Sequence, residues 1–217
     1  GSREISDRMA LRTASLLLVL AAPLALGRIE PSTKISFPEK RGGQSLVGVG
    51  VRKKGPIKVY GVGMYVDGFA SKMSLSKFKS TAAEKVDSSF YKACVEGGFG
   101  KTLVLKMKFG VSKEKMAGAI ADSVKPRISG DKSAVAKLEE SLLVGCDKYA
   151  KDGRAGPGTE FCFAIRGASM GVSVNGKSVA TISSKPLCKA LLNCYLDGSS
   201  VSPGLKSTCA EGLIGLL

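Results

Sequence analysis

Apolar and small residues alternate along residues 45–52, and a second alternating run covers 57–66. The turn pair Gly55-Pro56 separates them, so the two predict a β-hairpin. A third strand is predicted over 102–109, with Lys106 and Lys108 on one face and apolar residues on the other. The period then changes. Leu75 to Phe78 can start a short helix, and Ser112 is placed to cap a longer one in which Met116, Ile120 and Val124 recur every fourth residue until Pro126. Asp131 or Ser133 caps the next, whose apolar stripe is Val135, Leu138, Leu142 and Cys146. Short strands are predicted at 161–165, 172–174 and 178–182, the last two joined by Asn175-Gly176, and helices at 185–195 and 205–216. Strands, two helices, strands and two helices in that order argue an α+β domain: a large antiparallel sheet covered by a layer of helices.

Glycines at 48, 50, 61 and 63 sit inside the first hairpin, where they are poor strand formers. They imply tight packing on the sheet or a ligand close to the backbone. A dinucleotide fingerprint is not supported, because Gly48-x-Gly50 lacks a third glycine and a following helix. Residues 28–44, with Pro31, Pro38, Gly42 and Gly43 and no apolar period, read as a linker, which leaves 45–217 as the domain.

Residues 1–27 are different in kind. Arg3, Arg8 and Arg12 precede the apolar run 16–26, with small residues at Ala21, Ala22 and Ala25, the shape of an export signal. The run falls short of the roughly 20 apolar residues of a membrane span, and Pro23 interrupts it. Residues 9–26 are expected to lie on or in a membrane surface, or against a membrane-embedded partner; the alternative is a helix folded back on its own domain.

Composition narrows the chemistry. A chain of 217 residues supports one domain with an extension. Its 33 Lys+Arg against 18 Asp+Glu give a net charge of +15, which favours an anionic partner. Nucleic acid is not expected, since the lysines are scattered, Trp is absent and aromatic residues make up only 6%. The chain has no His, which removes the commonest general base and every His-activated nucleophile. Its six cysteines show no C-x-x-C pair, so buried free thiols are expected rather than a metal centre, and no cofactor is implied.

Three stretches together resemble the chalcone isomerase family: Gly48-Val-Gly-Val-Arg52 followed by Ile57-Lys-Val-Tyr60-Gly-Val-Gly-Met-Tyr65, the strand over 102–109 with its helix, and the helix start Val201-Ser-Pro-Gly-Leu-Lys. The resemblance implies an antiparallel sheet under a helical layer, with a ligand cleft between them. The family has an enzyme branch that closes a chalcone to a flavanone, and a non-enzymatic branch similar to plastid fatty-acid-binding proteins. Arg52 matches the arginine that both branches keep, and Tyr60 matches the tyrosine of the fatty-acid binders, where the enzymes carry threonine. Met116 and Ser123 fall where the enzymes place a helix tyrosine and asparagine, and Lys108 matches the enzymes' strand lysine. The resemblance therefore implies a non-catalytic protein that holds a fatty acid or similar carboxylate lipid, with Arg52, Tyr60, Lys108, Met116 and Ser123 as ligand-binding positions. It also implies a plastid location, in association with the thylakoid, with the secretory pathway as the alternative from the N-terminal run. An assembly subunit docked on a membrane protein complex is the second reading, and an isomerase with an altered site the third.

Overall fold

The computed structural model describes residues 27–217, so the expectations for the apolar run 16–26 lie outside the described residues. Nine strands and six α-helices follow in chain order among them. The strands are β1 (Arg28–Ile29), β2 (Ser36–Phe37), β3 (Lys40–Arg41), β4 (Gln44–Lys54), β5 (Ile57–Val66), β6 (Lys101–Met107), β7 (Glu160–Arg166), β8 (Ser169–Val174) and β9 (Lys177–Ser183). The helices are α1 (Gly68–Leu75), α2 (Ser88–Glu96), α3 (Lys113–Val124), α4 (Ser133–Tyr149), α5 (Lys185–Leu196) and α6 (Pro203–Ile214). Strands β3 to β9 form one seven-stranded antiparallel sheet in sequence order, and β1 pairs with β2.

The predicted α+β architecture is the one observed, and its turns carry the reasons. Gly55 takes a φ of 57° in the two-residue link between β4 and β5. Asn175 and Gly176 both take positive φ between β8 and β9, as a tight hairpin of that twist requires. The Ser112 hydroxyl accepts the Lys115 N–H to cap α3, and Asp131 accepts the Ala134 N–H at the start of α4.

Alternation splits the sheet side chains into two sets. Val62, Met64, Leu103, Leu105, Phe161 and Phe163 enter the main core beneath the helices. Leu46, Val49, Tyr65, Val104 and Cys162 form a smaller cluster on the opposite face. Helix α6 lies on β4 and α4 lies over β8 and β9.

The four hairpin glycines are explained by packing within the chain. A Cβ on Gly48 would meet Cys209 at 2.6 Å, and one on Gly50 would meet the Leu205 backbone nitrogen at 2.3 Å, both on α6. On the other face, Gly61 lies under Thr33 and Ile35, and Gly63 under the Phe37 ring. The close approach is made by a helix and by the N-terminal segment, not by a ligand.

That segment corrects the reading of 28–44 as a linker. It lies against the outer face of the sheet, where Phe37 is fully buried and completes the smaller cluster. The buried Glu30 carboxylate accepts the Thr33 N–H and hydroxyl, both at 2.6 Å, and so closes the turn that precedes β2. The sequence also did not reveal α2, and its short helix at Leu75 to Phe78 is displaced: α1 ends at Leu75 and a 3-10 turn covers Ser76–Phe78. In α1 only Ser71 and Leu75 are buried, so it has no inward apolar stripe to read.

All six cysteines are free and buried. Burial pushes the thiols of Cys94 and Cys194 up to about 12 and that of Cys146 to about 11, from an ordinary 9.0. Because the folded values lie above the unfolded one, the unfolded chain ionises first, and the stability these thiols contribute below pH 9 is lost as pH rises from 9 toward 12. Lys101 opposes them. Desolvation holds its amine down to about 8 from 10.5, so that group adds stability as pH rises from 8 to 10.5. Each thiol ionised only in the unfolded chain costs about 1.4 kcal/mol per pH unit, and several thiols outweigh one amine. The urea midpoint is expected to fall steadily above about pH 9; a midpoint that stays flat to pH 11 would contradict this assignment.

Candidate functional site

Tyr60 opens the central part of β5 and stands directly across from Arg52 on β4, so the two side chains share the helix-covered face of the sheet. A β-bulge follows Arg52, where the register between β4 and β5 shifts before Lys53. Helix α3 runs past this end of the hairpin, and between them lies a cleft of ≈ 650 Å³. Val59, Val111, Met116, Ala119 and Ile120 give it apolar walls. Its charged lining consists of Arg52, Lys54 and Lys115 against Glu114 and Asp122.

Four of the five positions singled out in the sequence line this one cleft: Arg52, Tyr60, Met116 and Ser123. Met116 and Ser123, seven residues apart, lie on the same side of α3. Met116 is buried, while the Ser123 hydroxyl donates back to the Ala119 carbonyl at 2.8 Å. Lys108 is the exception. It lies beyond the end of β6 with an exposed side chain, outside the cleft lining. The physical reason is strand parity: Lys106 turns to the outer face, where its amine donates to the Ser36 carbonyl and lies over the Phe37 ring, and Lys108 falls on the same side of the alternation.

Among the described residues the Arg52 guanidinium makes one protein hydrogen bond, to the Val201 carbonyl at 3.3 Å. Among the described residues no carboxylate lies within ion-pair distance of it. An arginine has five N–H donors, so most of this fork is available to a ligand.

The Tyr60 hydroxyl lies 3.0 Å from that of Tyr195, a residue of α5 to which sequence reasoning gave no role. Both rings are buried. Desolvation pushes Tyr60 up to about 12 and Tyr195 well above its ordinary 10.0, although the nearby Arg52 charge pulls the other way, so both phenols stay protonated at neutral pH. Two hydroxyls carry two hydrogens and the bond between them uses one. Either hydroxyl can be the donor in this pair, and where Tyr195 donates, the Tyr60 hydrogen is free to bond a ligand. The signal for Tyr195 in the sequence was an aromatic hydroxyl among the apolar residues Leu191, Leu192 and Leu196, since buried tyrosines seek a partner.

An arginine fork and a hydrogen-bonded phenol line one cleft with apolar walls and a charged rim. Such an arrangement can bind a carboxylate or carbonyl oxygen and leave an aliphatic or aromatic tail between β5 and α3.

Comparisons with known proteins agree with this fold. Residues 37–209 match the family described as chalcone isomerase-like. Chalcone isomerase-like protein 1 of Humulus lupulus is 28% identical over 179 residues, covering 77% of this chain and 81% of that protein. Fatty-acid-binding protein 1 of Arabidopsis thaliana is 27% identical over 180 residues, covering 77% of this chain and 63% of that protein. The crystal structure of an Arabidopsis thaliana fatty-acid binding protein superposes with a TM-score of 0.74 at 22% identity, covering 88% of this chain and 98% of the other, which is a likeness of fold. With a match across most of the chain and the sheet, helical layer and cleft in place, the chain belongs to the chalcone isomerase-like family.

Proposed function

We propose that the protein binds a long-chain fatty acid or similar apolar carboxylate in the cleft between β5 and α3, with Arg52 as the anchor for the carboxylate. The observation that carries this is the Arg52 guanidinium, which has no carboxylate partner among the described residues, in the same cleft lining as Tyr60 and the apolar walls of Val59, Val111, Met116 and Ile120. Binding requires no change in either group: arginine is always charged, and Tyr60 stays protonated. The cleft volume of ≈ 650 Å³ falls within the ~300–1,000 Å³ range of small-ligand sites. A relative named as a fatty-acid-binding protein, sharing this fold family, supports the choice of ligand class.

A carboxylate anchor makes a specific demand on the ligand. A charge-assisted hydrogen bond to arginine contributes about 1.5–3 kcal/mol, which an ester cannot supply. Palmitate is therefore expected to displace a fluorescent fatty acid about 10- to 100-fold more effectively than methyl palmitate. Equal displacement by acid and ester would remove Arg52 from the reading.

A further inference from the structure

Phe69 and Met73 stand four residues apart on α1, and so on one side of it, with 78% and 68% of their surfaces exposed. Isolated exposed apolar residues need no explanation, but two large ones adjacent on a short helix do. Their surroundings are cationic. Lys72, Lys77 and Lys79 are all exposed, and residues 68–79 contain no Asp or Glu. Lys77 continues the Phe69–Met73 spacing into the following 3-10 turn. Lys40 comes in from β3: its amine bonds the Ser45 hydroxyl at 2.7 Å, and that hydroxyl lies 3.6 Å from where a Cβ on Gly68 would stand. Asp67 is the nearest carboxylate in sequence, and it is engaged in capping the helix through the Ala70 N–H.

We infer that α1 is a docking tip for an anionic lipid bilayer, with Phe69 and Met73 inserting at the headgroup boundary and Lys40, Lys72 and Lys77 resting on the lipid phosphates. A bilayer accepts protruding side chains at any point of its surface. A stable protein partner requires about 800 Å² of fitted surface, more than two side chains provide. Lysines near an anionic surface each add about 1 kcal/mol, the increment that makes a small apolar tip bind. The tip lies at the C-terminal end of β5, while Tyr60 lies near its beginning, so docking by α1 is a surface separate from the cleft.

The chain has no Trp, so Phe69→Trp in the full-length protein places a single indole at the tip. Vesicles of mixed phosphatidylcholine and phosphatidylglycerol are expected to shift its emission to shorter wavelength and expose it to quenching by brominated lipids. Adding Lys72→Glu and Lys77→Glu is expected to lower the partition coefficient by about tenfold or more. Four results would overturn the assignment. Protein that floats with the vesicles while the indole keeps its solvent wavelength would be bound by another part of the chain. An emission already shifted in buffer would mean that protein covers the tip. An equal response to pure phosphatidylcholine, or a shift with poly-glutamate but none with vesicles, would remove the anionic bilayer as its partner.

Discussion

Gly212→Ala is expected to destabilise the protein by about 3 kcal/mol or more, the upper end of the overpacking range. The added Cβ would stand 1.9 Å from the Val47 carbonyl oxygen, and 2.7 Å from its carbon. Both are strand backbone, so no side-chain rotation relieves the contact. The helix must move instead, and it is tied to β4 along its length: the Thr208 hydroxyl donates to the Val49 carbonyl and accepts the Val49 N–H, and the Ser202 hydroxyl donates to the Val51 carbonyl. Lifting α6 breaks these bonds and uncovers Leu205, Cys209 and Leu213. Gly204→Ala is the control, because a Cβ there meets nothing within 4 Å. Urea unfolding of the two variants should separate them by most of the predicted loss; similar midpoints would mean that α6 does not sit on β4 as described.

Phe37→Ala is expected to cost about 3–5 kcal/mol, the usual loss for a buried phenylalanine. The ring is fully buried although it belongs to a two-residue strand in a segment rich in turns. It covers Gly63, where a Cβ would lie 2.6 Å from it, and it supports the Lys106 amine on its face. Its removal opens the cluster of Leu46, Val49, Tyr65, Val104 and Cys162 to water. The domain therefore begins before Ser45, which agrees with a family match that starts at residue 37. A loss below about 1 kcal/mol in urea melts would return residues 28–44 to the status of a linker.

The parts of the fold that could be read in the sequence are those whose apolar positions recur at a regular spacing. The hairpin of β4 and β5, the strands β6 to β9, and the stripes of α3 and α4 all carry a period of two or about four into the core. Helix α1 does not, because it turns Phe69 and Met73 outward. The segment 28–44 does not either: its contribution to the core is one ring and a closed turn, and a single apolar residue has no period. At the site, pairing of adjacent strands brought Arg52 opposite Tyr60, and helical spacing brought Met116 and Ser123 to the same cleft. Tyr195 escaped notice because α5 is buried on nearly every side, so no stripe marked which residue would face β5. Lys108 was placed by resemblance alone, against the parity that puts it with Lys106 on the outer face.

Arg52 is the residue on which the proposed function depends most. Titration calorimetry of palmitate into the wild-type protein and Arg52→Ala, with circular dichroism to show that both are folded, tests it directly. The expected result is saturable binding by the wild type at one site per chain and an affinity about 10- to 100-fold weaker in the variant. Equal affinity in the two proteins, or a folded wild-type protein that takes up no fatty acid, would contradict the proposed function.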